Sequence, residues 1–86
     1  MAFVYVLISE KDAKRYIGST NSLERRMAEH FRGEVKSTFH RRPLRLYAYE
    51  RFESLSDARK WEQLYKSSRG RYDKAIESGK LVLAGV

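Results

Sequence analysis

The sequence predicts a mixed α/β domain of the α+β kind: a three-stranded mixed sheet with an N-terminal hairpin, flanked by about three helices. Three observations carry that expectation. Phe3 to Ile8 is apolar at every position and is followed at hairpin distance by Arg15-Tyr16-Ile17-Gly18. Leu44 to Phe52 alternates with a two-residue period, and two later stretches place apolar residues three or four apart. At 86 residues, with no linker, repeat or low-complexity segment, the chain is expected to form one domain over 1–86.

The run Phe3 to Ile8 suits a strand covered on both faces, and hence central in its sheet. Polar residues from Ser9 to Lys14 supply a turn, and Arg15 to Gly18 returns as the partner strand. Whether Tyr5 and Tyr16 share a face is set by the register: they do so only if paired residue numbers sum to an odd value. Thr20, Asn21 and Ser22 offer helix caps, after which Leu23, Met27 and Phe31 recur every four residues as the expected core stripe. At about 100° per residue, His30 and Arg26 flank one edge of that stripe, while Arg25 points to solvent.

In the third strand, Leu44, Leu46, Ala48 and Phe52 are expected on one face and Arg45, Tyr47, Tyr49 and Arg51 on the other. Tyr47 and Tyr49 there could stack on bases, but packing beneath a helix is the stronger expectation. Ser54 and Asp57 suggest a capping box for a second helix, whose stripe is Leu55, Ala58, Trp61 and Tyr65. Glu62 falls inside that stripe, where a dry, unpaired carboxylate costs several kcal/mol. It therefore needs a cation, a set of donors or a wet cleft; an ordinary ion pair with Lys66 one turn on is the plain alternative. Tyr72, Ala75 and Ile76 suggest a short third helix closed by Gly79. Leu81 to Ala84 could add an edge strand or cover the core.

Eighteen Lys and Arg against eleven Asp and Glu give a net charge of +7, concentrated in Arg32–Arg45 and Arg59–Lys74. Such a field attracts polyanions, with nucleic acid the first partner to consider, although it also serves solubility. There is no cysteine for a disulfide framework or thiolate metal site. No secretory leader is evident, and the longest apolar run is far too short to cross a bilayer. A cytoplasmic protein without membrane insertion is expected.

These residues resemble the GIY-YIG nucleases, most closely their small single-domain group, over nearly the whole chain. Val4-Tyr5-Val6 stands at the first triplet and Tyr16-Ile17-Gly18 matches the second, with ten residues between the tyrosines. Arg26 and His30 occupy the family's helix positions, and Trp61-Glu62-Gln63-Leu64-Tyr65-Lys66 is similar to its metal-binding glutamate helix. Arg41-Arg42-Pro43-Leu44 and Tyr49-Glu50-Arg51-Phe52 also resemble the small group. The first triplet lacks its glycine. The only asparagine is Asn21, so the late asparagine of some larger members has no counterpart.

The resemblance implies Mg²⁺-dependent endonucleolytic hydrolysis of nucleic acid, DNA foremost, in repair or processing. It implies Tyr5, Tyr16, Arg26 and His30 as catalytic residues, Gly18 and Lys66 as substrate-positioning residues, and Glu62 as ligand of a single Mg²⁺ or Mn²⁺ ion. Phosphodiester hydrolysis needs a base for water, counter-charge for the pentavalent transition state and help for the departing oxygen. A phenol with an ordinary pKa of about 10 serves as base only if positive charge lowers it. Arg26 offers a donor fork to phosphate, Glu62 hard oxygen for Mg²⁺, His30 a proton relay, and Gly18 room for a phosphate to approach. His40 has no partner that the sequence names. The alternatives are a non-cleaving nucleic-acid-binding module of the same fold and a protein-interaction domain. A monomer is expected, or a transient dimer on substrate, because cutting both strands needs two sites or two binding events.

Overall fold

A computed structural model describes residues 1–84. In chain order the elements are β1 (Ala2–Ser9), β2 (Arg15–Thr20), α1 (Leu23–Arg32), α2 (Lys36–Phe39), β3 (Leu44–Phe52), α3 (Leu55–Ser67), α4 (Arg69–Ser78) and β4 (Val82–Leu83). The four strands form one sheet in the order β2-β1-β3-β4, with every pair antiparallel. The expected three-stranded mixed sheet with about three helices is thus corrected to four antiparallel strands and four helices. The additions are short. Val82–Leu83 pairs with Ala48 and Tyr49, and two residues carry no period. Four-residue α2 likewise makes too little helix for a stripe.

β1 is central, and its Val4, Tyr5, Val6 and Leu7 are all buried. Its alternate side chains feed two cores. Val4 and Val6 join Ile17, Ala48, Ala58, Tyr65, Tyr72 and Ala75 beneath α3 and α4. Tyr5 and Leu7 join Met27 beneath α1, with Tyr16, Leu23, Leu44 and Leu46 around them.

The alternation in β3 does not hold through the strand. Val6 faces Ala48 while Leu7 faces Leu46, so Tyr47 is an extra residue and the strand bulges there. One inserted residue moves everything beyond it to the opposite face. Leu44 and Leu46 consequently pack under α1, whereas Ala48 and Phe52 join the α3/α4 core. Tyr47 packs against the α3/α4 core, as the helix-covered alternative expected, whereas Tyr49 joins neither core and faces Tyr5 across the strands.

Helix α1 starts at Ser22, whose hydroxyl accepts from the Arg25 N–H, and ends at Gly33 with φ 82°. A cap of this kind contributes about 1 kcal/mol. The expected stripe Leu23-Met27-Phe31 is corrected at its last member: Phe31 is 46% exposed and His30 is fully buried. His30 stands almost two turns from Leu23, about 20° from it around the helix, and its hydrogen bonds to Tyr5 and Thr38 offset its burial. Ser54 caps α3, and Ser68 both closes α3 and caps α4, which ends at Gly79 with φ 83°. No helix among the described residues is long and apolar enough to cross a membrane.

Candidate active site

The hairpin register brings the two phenols to one side. Tyr5 faces Gly18 and Leu7 faces Tyr16, so paired numbers sum to 23 and both tyrosines point toward α1. The Tyr5 and Tyr16 ring centroids are 6.3 Å apart. A Cβ on Gly18 would lie 2.5 Å from the Tyr5 hydroxyl oxygen and 2.6 Å from its Cζ. The missing side chain therefore houses the end of the phenol. This packing role for Gly18 stands beside the substrate-positioning one expected of it.

Arg26 and His30, one turn apart on α1, both reach this phenol. The Tyr5 hydroxyl is 2.8 Å from His30 Nε2, and Arg26 Nε donates to it across 3.4 Å. Arg26 Nη1 is 2.9 Å from Glu29, and among the described residues its Nη2 has no hydrogen-bond partner. Arg25 turns outward, with 59% of its side chain exposed against 33% for Arg26. His30 Nδ1 lies 2.8 Å from Thr38 Oγ1, and the imidazole stands 5.4 Å from each tyrosine ring. The Ser37 hydroxyl reaches Tyr16 Oη at 3.4 Å, so α2 holds two members of the cluster.

Burial sets the protonation of this group. It pushes the Tyr5 phenol up to about 12, with Tyr16 and Glu62 adding to the rise and the Arg26 hydrogen bond opposing it. Arg26 alone therefore does not lower the Tyr5 phenol, because desolvation outweighs one guanidinium. Burial and the Arg26 charge bring His30 down to about 4, so its ring is neutral at pH 7. Tyr5 oxygen accepts from Arg26, which leaves its O–H to donate to Nε2 and assigns the His30 proton to Nδ1, facing Thr38.

Glu62 lies on the other side of β2. It accepts from Ser19 Oγ at 2.5 Å, and Ser19 faces Val4, on the α3/α4 face of the sheet. Its second oxygen is 2.7 Å from Lys66 Nζ. β2 is an edge strand, and the Glu62 charge still acts on Tyr5 past it. The structure thus gathers Tyr5, Tyr16, Gly18, Arg26 and His30 on one face and sets Glu62 with Lys66 just behind the edge.

No group of three or more His, Asp and Glu among the described residues is placed to hold a metal. Mg²⁺ asks for less, binding through one or two carboxylates with water filling the remaining positions. Glu62 fits that demand: its side chain is 14% exposed, and the Lys66 ammonium occupies a cation position against it. Metal binding there requires Lys66 to give way.

Thr38, Ser37, Ser19 and Glu29 escaped the sequence. Only Glu29, three residues from Arg26 on the same helix, carried a signal that spacing could have revealed.

The family model described as the GIY-YIG catalytic domain matches residues 1–75. The chain is 43% identical over 76 residues to a UPF0213 protein of Natronomonas pharaonis, covering 86% of this chain and 88% of that one. It is also similar to the solution NMR structure of a UPF0213 protein from Bacillus halodurans, at 35% identity and a TM-score of 0.53. That match covers 90% of this chain and 84% of the other.

Proposed function

The chain belongs to the GIY-YIG family, and on that premise we propose that it hydrolyses phosphodiester bonds of nucleic acid, DNA foremost, with Mg²⁺ or Mn²⁺ at Glu62. The observation that carries this is the continuous chain Arg26–Tyr5–His30–Thr38, buried at one end and open at Arg26. A divalent ion on Glu62 would supply charge for the pentavalent transition state.

The protein groups supply the rest. Arg26 Nη2 donates to a non-bridging phosphate oxygen and draws the substrate over Tyr5. A water beside Tyr5 passes its proton to the phenol oxygen as the Tyr5 proton moves to His30 Nε2, so the buried phenol relays without ever standing as phenolate. The incoming phosphate charge raises the basicity of His30, and Thr38 steadies the imidazolium through Nδ1–H. Tyr16 and Lys66 help position the substrate. Repair or processing of DNA in the cytosol, by a monomer or a dimer formed on substrate, suits so small a basic chain.

The Lys66 ammonium on Glu62 favours a second function, a binding module that grips nucleic acid without efficient cutting. Incubation with plasmid and branched DNA in Mg²⁺ and in EDTA separates the two. Hydrolysis predicts nicking only with metal, and a rate reduced by about 10²–10³ in Arg26→Ala. No metal-dependent nicking, with binding intact, would leave the module.

A further inference from the structure

Resting on that function, we propose that the groove between the hairpin and α4 is the track for a single strand of nucleic acid running to the scissile phosphate. The groove has a volume of about 1000 Å³ and is lined by five cations, Lys14, Arg15, Arg45, Lys66 and Arg69, against Asp73 and Glu77. It is continuous with the candidate site at two points: Tyr16 belongs to its wall, and Lys66, also in the wall, holds Glu62. A strand in it passes from the α3/α4 side around the β2 edge and reaches the phenols.

One guanidinium is arranged for phosphate in advance. Arg15 lies over the Tyr72 ring at 4.4 Å, whereas Arg45, over Tyr47 at 5.8 Å, is also paired with Glu10. Stacking fixes the plane of a guanidinium and leaves its edge N–H groups free, which reduces the ordering cost when an anion arrives. Among the described residues, neither Lys14 nor Arg15 forms an ion pair with a carboxylate, so their charge is not already neutralised. A basic groove with half-buried Tyr16 and Tyr47 in its wall has the elements by which proteins follow one strand, cations for phosphates and ring faces for bases.

The test uses the full chain, fluorescence anisotropy and two labelled DNAs, a duplex with a single-stranded overhang and a blunt duplex of the same sequence. Each phosphate contact contributes about 0.7 to the single-strand salt slope. Lys14→Gln/Arg15→Gln should therefore lower the slope by about 1.4 and weaken overhang binding about 25-fold at 0.1 M salt. Blunt-duplex binding should change less than about threefold, within the non-specific phosphate contribution. Because Arg15 also covers Tyr72 and Arg69 is already paired with Asp73, Lys14→Gln alone repeats the test with an exposed, unpaired side chain that leaves the core alone, with a slope lower by about 0.7 and overhang binding about fivefold weaker.

Unchanged overhang binding in both variants, or equal losses on both DNAs, overturns the track. Competition by polyglutamate as strong as by the overhang strand overturns it in favour of an acidic protein segment. Cleavage is scored separately. If wild type shows the expected binding pattern yet never cuts, hydrolysis fails and the track stands; if it cuts while both variants bind normally, the track alone fails.

Discussion

Replacing Gly18 with alanine probes the packing that puts the Tyr5 hydroxyl in place. The new methyl would lie 2.5 Å from that oxygen and 2.6 Å from Cζ, well inside contact distance. The ring has no free direction in which to yield, being 1% exposed and tied to both His30 and Arg26. Overpacking of this kind costs about 1–3 kcal/mol, and a broken Tyr5–His30 hydrogen bond leaves a buried acceptor unsatisfied at about 1–3 kcal/mol more. We expect a loss near 3 kcal/mol, which for a domain of this size lowers Tm by roughly 12–24 °C. Gly70→Ala is the control. Nothing but Ser68 Oγ, at 4.0 Å, comes near a Cβ there. That change in the first turn of α4 should be neutral or stabilising by up to about 1 kcal/mol. Thermal unfolding followed by circular dichroism measures both. A Gly18→Ala protein within about 0.5 kcal/mol of wild type, the range of an inert surface change, would refute the proposed packing.

His30 should make the fold acid-sensitive. Its pKa is held down to about 4 in the folded chain, so the unfolded chain binds the proton first. Stability is then full above pH 6.5 and falls between 6.5 and about 4, by about 3 kcal/mol in all. Urea unfolding from pH 7 to 5, above most carboxylate titration, should show the decline in wild type and not in His30→Gln. Thr38→Val removes the acceptor of the His30 Nδ1 proton. The imidazole ¹⁵N shifts should lose their single-tautomer pattern, and the pH–rate profile of cleavage should move, whereas a purely structural role for Thr38 would leave both unchanged. Tyr65→Phe strands the Glu50 carboxylate that its hydroxyl meets at 2.6 Å, and should cost about 1–3 kcal/mol in denaturant unfolding. No loss would mean that the pair does not anchor α3 to β3.

How much the sequence disclosed varied with the length of each pattern. β1 was plain because six consecutive apolar residues mark a strand covered on both sides, and the helix arithmetic separated Arg25 from Arg26 because α1 is regular between its caps. β3 misled through one residue: an inserted Tyr47 exchanges the faces of everything after it, and periodicity read from one end cannot detect a bulge. Phe31 misled because hydrophobicity alone favoured it over His30, while the hydrogen bonds that make His30 the better buried residue come from β1 and α2. Thr38 was invisible for the same reason, lying in a polar segment far from its partner in sequence. The relation of Gly18 to Tyr5 needed the cross-strand register, which the sequence left open between two parities.

The most direct measurement is the single-turnover cleavage rate of Glu62→Gln on the overhang duplex in Mg²⁺. The substitution keeps an oxygen for Ser19 and removes the charge that would hold the cation. The account predicts a rate reduced by about 10²-fold or more, with the fold retained and DNA affinity no lower than wild type, since Lys66 is released toward the groove. Cleavage at the wild-type rate would contradict the assignment of Glu62 as the metal ligand and, with it, the proposed reaction.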